Sequence, residues 1–113
     1  MEISEKTIYT VLKEIGVPRG IKGYEYIKKA LQLISGQPER VKMMNLYSDI
    51  ALAFNDKPSR IERAIRYAIT GTFDTIKQEV SEKYFVSWHN DKSQPTNSEF
   101  LMSIIEYLKQ NQL

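Results

Sequence analysis

The sequence predicts an all-α fold of about six helices packed as one compact domain. Apolar residues recur at helical spacing along nearly the whole chain. Short segments rich in Gly, Pro, Asn and Asp separate these stretches and mark their ends. Two Ser/Thr-x-x-Glu patterns, Ser59 with Glu62 and Thr96 with Glu99, are typical of helix starts. Because 113 residues suffice for one core, we expect a single domain over residues 1–113.

Composition excludes several classes of protein. The chain is 42% hydrophobic and 27% charged, as is ordinary for a globular protein. It has no cysteine, which excludes disulfides and thiolate metal sites. No apolar run approaches the roughly 20 residues of a membrane span, and the N-terminus is unlike a secretory signal. We therefore expect a cytoplasmic protein that does not enter a membrane.

The first two helices follow from apolar spacing and from the residues that flank them. One is predicted over residues 4–15, with Ser4 as its cap and Gly16 at its end. The other is predicted over residues 21–35, ending at Gly36 and Pro38. The pattern does not decide whether Tyr26 on this helix is buried or exposed. The side chains expected to face the core are Ile8, Val11, Leu12, Ile15, Tyr24, Ile27, Leu31 and Ile34.

A helix-turn-helix is predicted over about residues 48–70. A short helix at residues 39–45 would lead into it. The first helix of the motif is expected to start at Ser48, as its cap, and to end at Phe54. Asn55 suits the left-handed conformation that ends a helix, and Asp56 and Pro58 are turn residues.

The second helix of the motif is expected to start at Ser59 in a capping box with Glu62 and to end at Gly71. A further helix would follow to about residue 83, and residues 84–94 are less regular, with an extended piece in the YFVSW run.

The Thr96–Glu99 capping box would start the last helix. The apolar residues expected to be buried in the second and last helices are Ile61, Ala64, Ile65, Ala68, Ile69, Phe100, Leu101, Ile104, Ile105 and Leu108.

Positive charge is concentrated on this second helix. Residues 57–67 carry four basic side chains against Glu62, a net +3, whereas the whole chain is +2. Arg60, Arg63 and Tyr67 fall at i, i+3 and i+7, off the buried stripe, as a helix that reads a DNA groove requires. The alternative is that these arginines are merely solvated and that Glu62 and Arg66 form an ordinary i,i+4 pair.

The chemistry of base edges suggests a role for each side chain. Guanine presents two acceptors that match a guanidinium fork, and cytosine presents a donor to a carboxylate. Arg60 and Arg63 are therefore the expected guanine readers and Glu62 the cytosine reader. Because Glu62 cannot cap its helix and contact a base together, we expect it to cap in the free protein and to turn outward on binding.

Other groups near this helix suit the phosphate backbone. Lys57 and Arg66 would hold phosphates, Tyr67 would donate its hydroxyl to one, and the helix-start amides near Ser59 could hold another. No catalytic centre can be assembled, because His89 is the only histidine and no activated nucleophile accompanies it. We expect no enzyme activity, no metal and no cofactor.

Several strings carry a family resemblance: Ile15-Gly16-Val17-Pro18, Ile21-Lys22-Gly23-Tyr24, SRIERAIR over residues 59–66 and PTNSEF over residues 95–100. With them the chain resembles the C-terminal DNA-binding (effector) domain of the stage-zero sporulation protein A response regulators. The resemblance implies a recognition helix at about residues 59–70 and binding of double-stranded DNA at a short promoter box. It also implies self-association on tandem boxes and contact with RNA polymerase, with residues 72–85 as the segment that would touch the sigma subunit.

The chain departs from this family's pattern in three respects. The phosphorylatable receiver domain that normally precedes the region is absent from these residues, so we expect either an excised fragment or a freestanding relative. Gln94 replaces a basic residue and Tyr67 replaces a histidine, which alters the expected backbone contacts. Two alternatives remain open, a protein-binding helical adaptor without specific DNA binding and a nonspecific nucleic-acid binder.

Overall fold

Six helices and no strand make up the part of the chain that the computed structural model describes, residues 3–37, 42–85 and 94–111. This confirms the all-α prediction, and the Cα radius of gyration of 13.1 Å is that of a compact protein of this length. Among these residues, no helix has the length and apolar character that a bilayer crossing needs. The helices are α1 (Glu5–Ile15), α2 (Lys22–Ser35), α3 (Met43–Phe54), α4 (Pro58–Thr75), α5 (Gln78–Tyr84) and α6 (Asn97–Asn111).

Helix α4 lies at the centre of the fold and packs against α2, α3 and α6. Its predicted apolar stripe is confirmed, with Ile61, Ile65, Ala68 and Ile69 fully buried and only Ala64 half-buried. Helix α4 packs tightly against α2 at Gly23, where a Cβ atom would lie 2.7 Å from the Ala68 Cβ. A glycine at this position therefore allows the two helix backbones to approach closely.

The predicted boundaries of α1 and the start of α6 are confirmed. The Ser4 hydroxyl accepts from the Thr7 amide at 3.1 Å, and Gly16 ends α1 with a left-handed φ of 92°. At α6 the Glu99 carboxylate accepts from the Thr96 amide at 2.8 Å, and the Thr96 hydroxyl accepts from the Glu99 amide at 3.1 Å. These contacts form a complete capping box.

The predicted start of the next helix is wrong. Helix α3 begins at Met43 rather than at Ser48, which lies exposed within it. Leu46 is buried one turn before Ile50, so the apolar stripe and the helix both extend further toward the N-terminus. A separate short helix was predicted at residues 39–45. Lys42 is instead the cap of α3, and residues 43–45 form its first turn. Residues 39–41 lie outside the described part.

The predicted limits of α4 are also wrong at both ends. The helix begins at Pro58 instead of Ser59, because a proline at the first helical position has a suitable φ and loses no helical hydrogen bond. It continues through Gly71 to Thr75, since the buried stripe extends to Thr72, whose hydroxyl donates to the Ala68 carbonyl at 2.8 Å.

The helix predicted after Gly71 is consequently divided. Its first turn belongs to α4, Ile76 and Lys77 have extended backbones, and α5 starts at Gln78. Tyr84 and Phe85 are both buried. The extended piece predicted in the YFVSW run falls mostly on residues 86–88, outside the described residues.

Candidate nucleic-acid interface

The corner between α3 and α4 is consistent with a helix-turn-helix. Asn55 ends α3 in the left-handed conformation, with φ 54° and ψ 52°, as its sequence predicts. The Asp56 amide then donates to the Ala51 carbonyl at 2.9 Å. Ala51 itself is buried, and its small side chain allows the chain to turn close to α3. Only residues 55–57 separate the two helices.

The capping box predicted for α4 does not form. Ser59 lies exposed in the first turn, and Lys57 occupies the capping position without a side-chain hydrogen bond. Instead, the Lys57 carbonyl accepts from the Arg60 and Ile61 amides at 2.9 and 3.0 Å. The Asp56 carboxylate accepts from the Lys57 amide at 2.8 Å, one residue before the helix.

Glu62 is paired along its own helix rather than capping it. Its two carboxylate oxygens lie 3.2 Å from Arg66 Nε and 3.3 Å from Arg66 Nη2. The expectation that Glu62 caps α4 in the free protein is therefore wrong, because the capping position lies two residues earlier, at Lys57 rather than Ser59, and Glu62 pairs with Arg66 instead. The i,i+4 pair that was the alternative interpretation of these two residues is present.

The remaining polar side chains of the predicted DNA-reading face point away from the core. The Arg60 side chain is 68% exposed, and its nearest carboxylate oxygen, on Asp56, is 3.9 Å away. Arg63 is exposed and makes no ion pair or hydrogen bond with any described residue. Tyr67 is 71% exposed. These three side chains form an open surface on the side of α4 opposite its buried isoleucines.

A depression of about 420 Å³ lies beside this surface. It is bordered by Tyr47 of α3, by the Glu62–Arg66 pair and by residues 94–98. Gln94 at its edge accepts a hydrogen bond from the Thr70 hydroxyl at 3.0 Å. Residues 94–98 thus pack alongside α4 without covering Arg60 or Arg63, which remain exposed.

Asn97 fixes the start of α6 against the other two helices. Its side-chain amide is buried and donates to the Tyr47 hydroxyl at 3.0 Å and to the Glu62 carbonyl at 3.1 Å. Burial raises the pKa of Tyr47. Sequence reasoning did not find this contact, because Asn97 is separated from its partners by 50 and 35 residues.

A second contact that sequence reasoning missed lies under the corner. Tyr26 of α2 is buried, and its hydroxyl donates to Asp56 Oδ2 at 2.6 Å. Burial, with the hydrogen bond to Asp56, raises the pKa of Tyr26 to about 12. The Tyr26 hydroxyl and the Lys57 amide lower the pKa of Asp56 because they donate to its charged form. The sequence indicated only that Asp56 is a turn residue.

Comparison with known protein families matches residues 8–108 of the chain to the family described as sporulation initiation factor Spo0A C terminal. The match covers all but the first seven and the last five of the 113 residues. It includes α4 and the arginine-bearing surface. This family is a DNA-binding regulatory family and not a catalytic one. The chain therefore belongs to the family of the C-terminal, DNA-binding domain of the sporulation regulator Spo0A.

Proposed function

We propose that this chain is a sequence-specific transcription regulator that reads a short promoter box with α4 in the major groove. The observation that carries the proposal is the exposed surface of Arg60, Arg63 and Tyr67 on a helix whose opposite side is fully buried. A helix held in this way fixes the positions from which its polar side chains extend toward DNA. Membership in a DNA-binding family supports the same role and a cytoplasmic setting.

Arg60 and Arg63 are proposed to donate to the O6 and N7 acceptors of guanines. Within the described part of the chain, Arg63 can reach a base without breaking an ion pair or hydrogen bond, and the one ion pair of Arg60 is a long one, with Asp56. Glu62 is proposed to accept from a cytosine amino group after its pair with Arg66 opens. Such an exposed i,i+4 pair contributes only about 0.3–0.5 kcal/mol, so opening it opposes binding weakly.

The proposed backbone contacts surround these base readers. Lys57 and Arg66 would pair with phosphates, and Tyr67 would donate its hydroxyl to one. The Ser59 amide has no acceptor among the described residues, and Pro58 beside it has no amide hydrogen. An amide at a helix start is suited to a phosphate oxygen, which supports a contact there.

Binding measurements on a G·C-containing box and a scrambled duplex test the proposal across a salt series. Arg60→Ala or Arg63→Ala should each cost about 1–3 kcal/mol and relax preference at one base pair. Lys57→Ala should weaken both duplexes about equally and reduce the salt slope by about 1. The control Lys6→Ala removes an exposed charge from α1 and should change neither affinity appreciably. Equal losses on both duplexes for every α4 variant would instead indicate nonspecific binding.

Two partners besides DNA are part of the proposal. Two copies would occupy tandem boxes, which titration of one-box and two-box duplexes would detect as cooperative binding.

Residues 72–85, which span the end of α4 and all of α5, would contact the RNA polymerase sigma subunit. Lys77, Glu79 and Lys83 are exposed on this segment, so their replacement should reduce transcription without reducing DNA affinity.

A protein-binding adaptor is the second candidate, and one observation favours it. Met44 and Leu52 of α3 are 80% and 83% exposed, and apolar side chains on a surface are one means of binding a protein partner. An adaptor would show no affinity for any duplex, whereas the proposed regulator binds DNA when both residues are replaced by Ser.

A further inference from the structure

Asp56 is a carboxylate whose two oxygens are both held by donors that cannot move far. Oδ2 accepts from the Tyr26 hydroxyl at 2.6 Å, and Oδ1 accepts from the Lys57 amide at 2.8 Å. Tyr26 is 4% exposed, and its ring makes an edge contact with Phe54 at a centroid distance of 5.1 Å. The hydroxyl is therefore fixed by the core, and the amide is fixed by the start of α4.

This arrangement limits how Asp56 interacts with Arg60. A guanidinium and a carboxylate prefer two parallel hydrogen bonds, which require both carboxylate oxygens. Here one Arg60 nitrogen approaches Asp56 Oδ1 at 3.9 Å, beyond hydrogen-bond distance, and the Arg60 side chain stays 68% exposed. The two fixed donors compete with Arg60 for the carboxylate oxygens, and Arg60 forms no hydrogen bond with either of them.

We propose that Tyr26 is a positioning residue for DNA recognition, since its hydroxyl occupies Asp56 and so leaves the Arg60 guanidinium free to reach a guanine. This inference rests on the proposed base-reading role of Arg60. It assigns to a buried residue of α2 a role in the specificity of α4. The contact is indirect, because Tyr26 acts on DNA only through Asp56 and Arg60.

Loss of the Tyr26 hydroxyl removes the donor to Asp56 Oδ2 at a place where two cations are near. Arg60 lies one helical turn after Asp56, and Lys22 at the start of α2 borders the same depression. Asp56 stays ionised at neutral pH without this hydroxyl, because an aspartate carboxyl ordinarily has a pKa of about 3.9. Arg60 can then turn its fork onto both oxygens, and this pair must break before the arginine contacts a base.

The test compares the affinity ratio between the box and a scrambled duplex. Tyr26→Phe keeps the ring and should lower this ratio about two- to fivefold, the range of an exposed ion pair that must be opened. Tyr24→Phe is the matched control, because Tyr24 is equally buried on the same helix and its ring faces Arg19 rather than the corner. Thermal unfolding of each variant shows whether the fold is retained.

Rescue separates this role from a structural one. Asp56→Asn in the Tyr26→Phe background should restore the ratio, because a neutral amide cannot hold the guanidinium in an ion pair. In an Arg60→Ala background, Tyr26→Phe should have no further effect on the ratio. Using the ratio cancels the general gain in affinity that follows from removing a negative charge.

Three results would overturn the inference. The affinity ratio could be unchanged in Tyr26→Phe, or Asp56→Asn could fail to restore it. Tyr26→Phe could also lower the ratio by the same factor whether or not Arg60 is present. An unchanged ratio in Arg60→Ala alone would instead reject the base-reading role on which the inference rests. The two failures are therefore distinguishable.

Discussion

Helices α4 and α6 begin with the same Ser/Thr-x-x-Glu pattern, but only α6 uses it. At α6, Thr96 and Glu99 exchange both hydrogen bonds of a capping box. At α4, the helix starts at Pro58, so Ser59 lies within its first turn instead of at its cap, and Glu62 pairs with Arg66. At α4 the proline at the first helical position and the Glu62–Arg66 ion pair compete with the capping box, and at α6 it forms.

The difference has a consequence for binding. Glu99 is committed to the Thr96 amide, whereas the ion pair that holds Glu62 among the described residues is with the exposed Arg66. The start of α4 is instead stabilised from outside the helix, by Asp56 and through it by Tyr26. The helix proposed to read DNA thus keeps its acidic side chain available.

The largest expected effect on stability comes from the contact that joins the two helices. Asn97→Ala removes a buried donor from the Tyr47 hydroxyl and the Glu62 carbonyl, so it should lower the free energy of unfolding by about 1–3 kcal/mol. Urea unfolding measures this, with the exposed Asn45→Ala as the control. A loss no larger than that of the control would show that the contact does not hold α6 against α4.

The capping contrast itself is tested by a matched pair of variants. Thr96→Ala removes a working cap and should cost about 1 kcal/mol. Ser59→Ala removes a hydroxyl that caps nothing and should change stability by less than about 0.5 kcal/mol. Equal losses in the two variants would contradict the difference between the two helix starts.

The Asp56 contacts at the start of α4 should make stability depend on pH. The Tyr26 hydroxyl and the Lys57 amide hold the pKa of Asp56 below the ordinary value of an aspartate, so its contribution to stability is present above that ordinary value and is lost as pH falls through the folded pKa. Melting temperatures between pH 6 and 2.5 should fall less steeply in Asp56→Asn than in the parent protein. Asp74→Asn, at an exposed position of α4, is the control, and an unchanged slope in Asp56→Asn would rule out this contribution.

The smallest expected effect on stability is that of Glu62. Glu62→Gln removes an exposed i,i+4 ion pair and should cost only about 0.3–0.5 kcal/mol in unfolding. In binding it should reduce discrimination at the proposed cytosine position, since an amide oxygen is a weaker acceptor than a carboxylate. A variant that loses stability but keeps full discrimination would remove Glu62 from the set of base readers.

Local patterns predicted the parts of the fold that depend on neighbours in sequence. Ser4, Gly16, Asn55 and the Thr96–Glu99 box all have the conformations that their residue types favour. The buried stripe of α4 and the exposure of its arginines were likewise predictable, because helical spacing alone separates the two sides. The base-reading and backbone roles of these side chains stay predictions.

Two of the helix limits were not predictable from capping residues. Ser48 and Gly71 are typical of helix ends, but buried Leu46 and Thr72 continue the apolar stripe beyond them. Packing of a further turn into the core outweighs the weak preference of a single serine or glycine.

By itself the sequence determined the helix class, the composition of the core and the basic surface of α4, since each follows from spacing along one helix. Only the tertiary structure decided which residues support that surface. Tyr26 reaches Asp56 across 30 residues, and Asn97 reaches Glu62 across 35. Such contacts depend on how helices lie against one another, and no local pattern of residue types encodes that geometry.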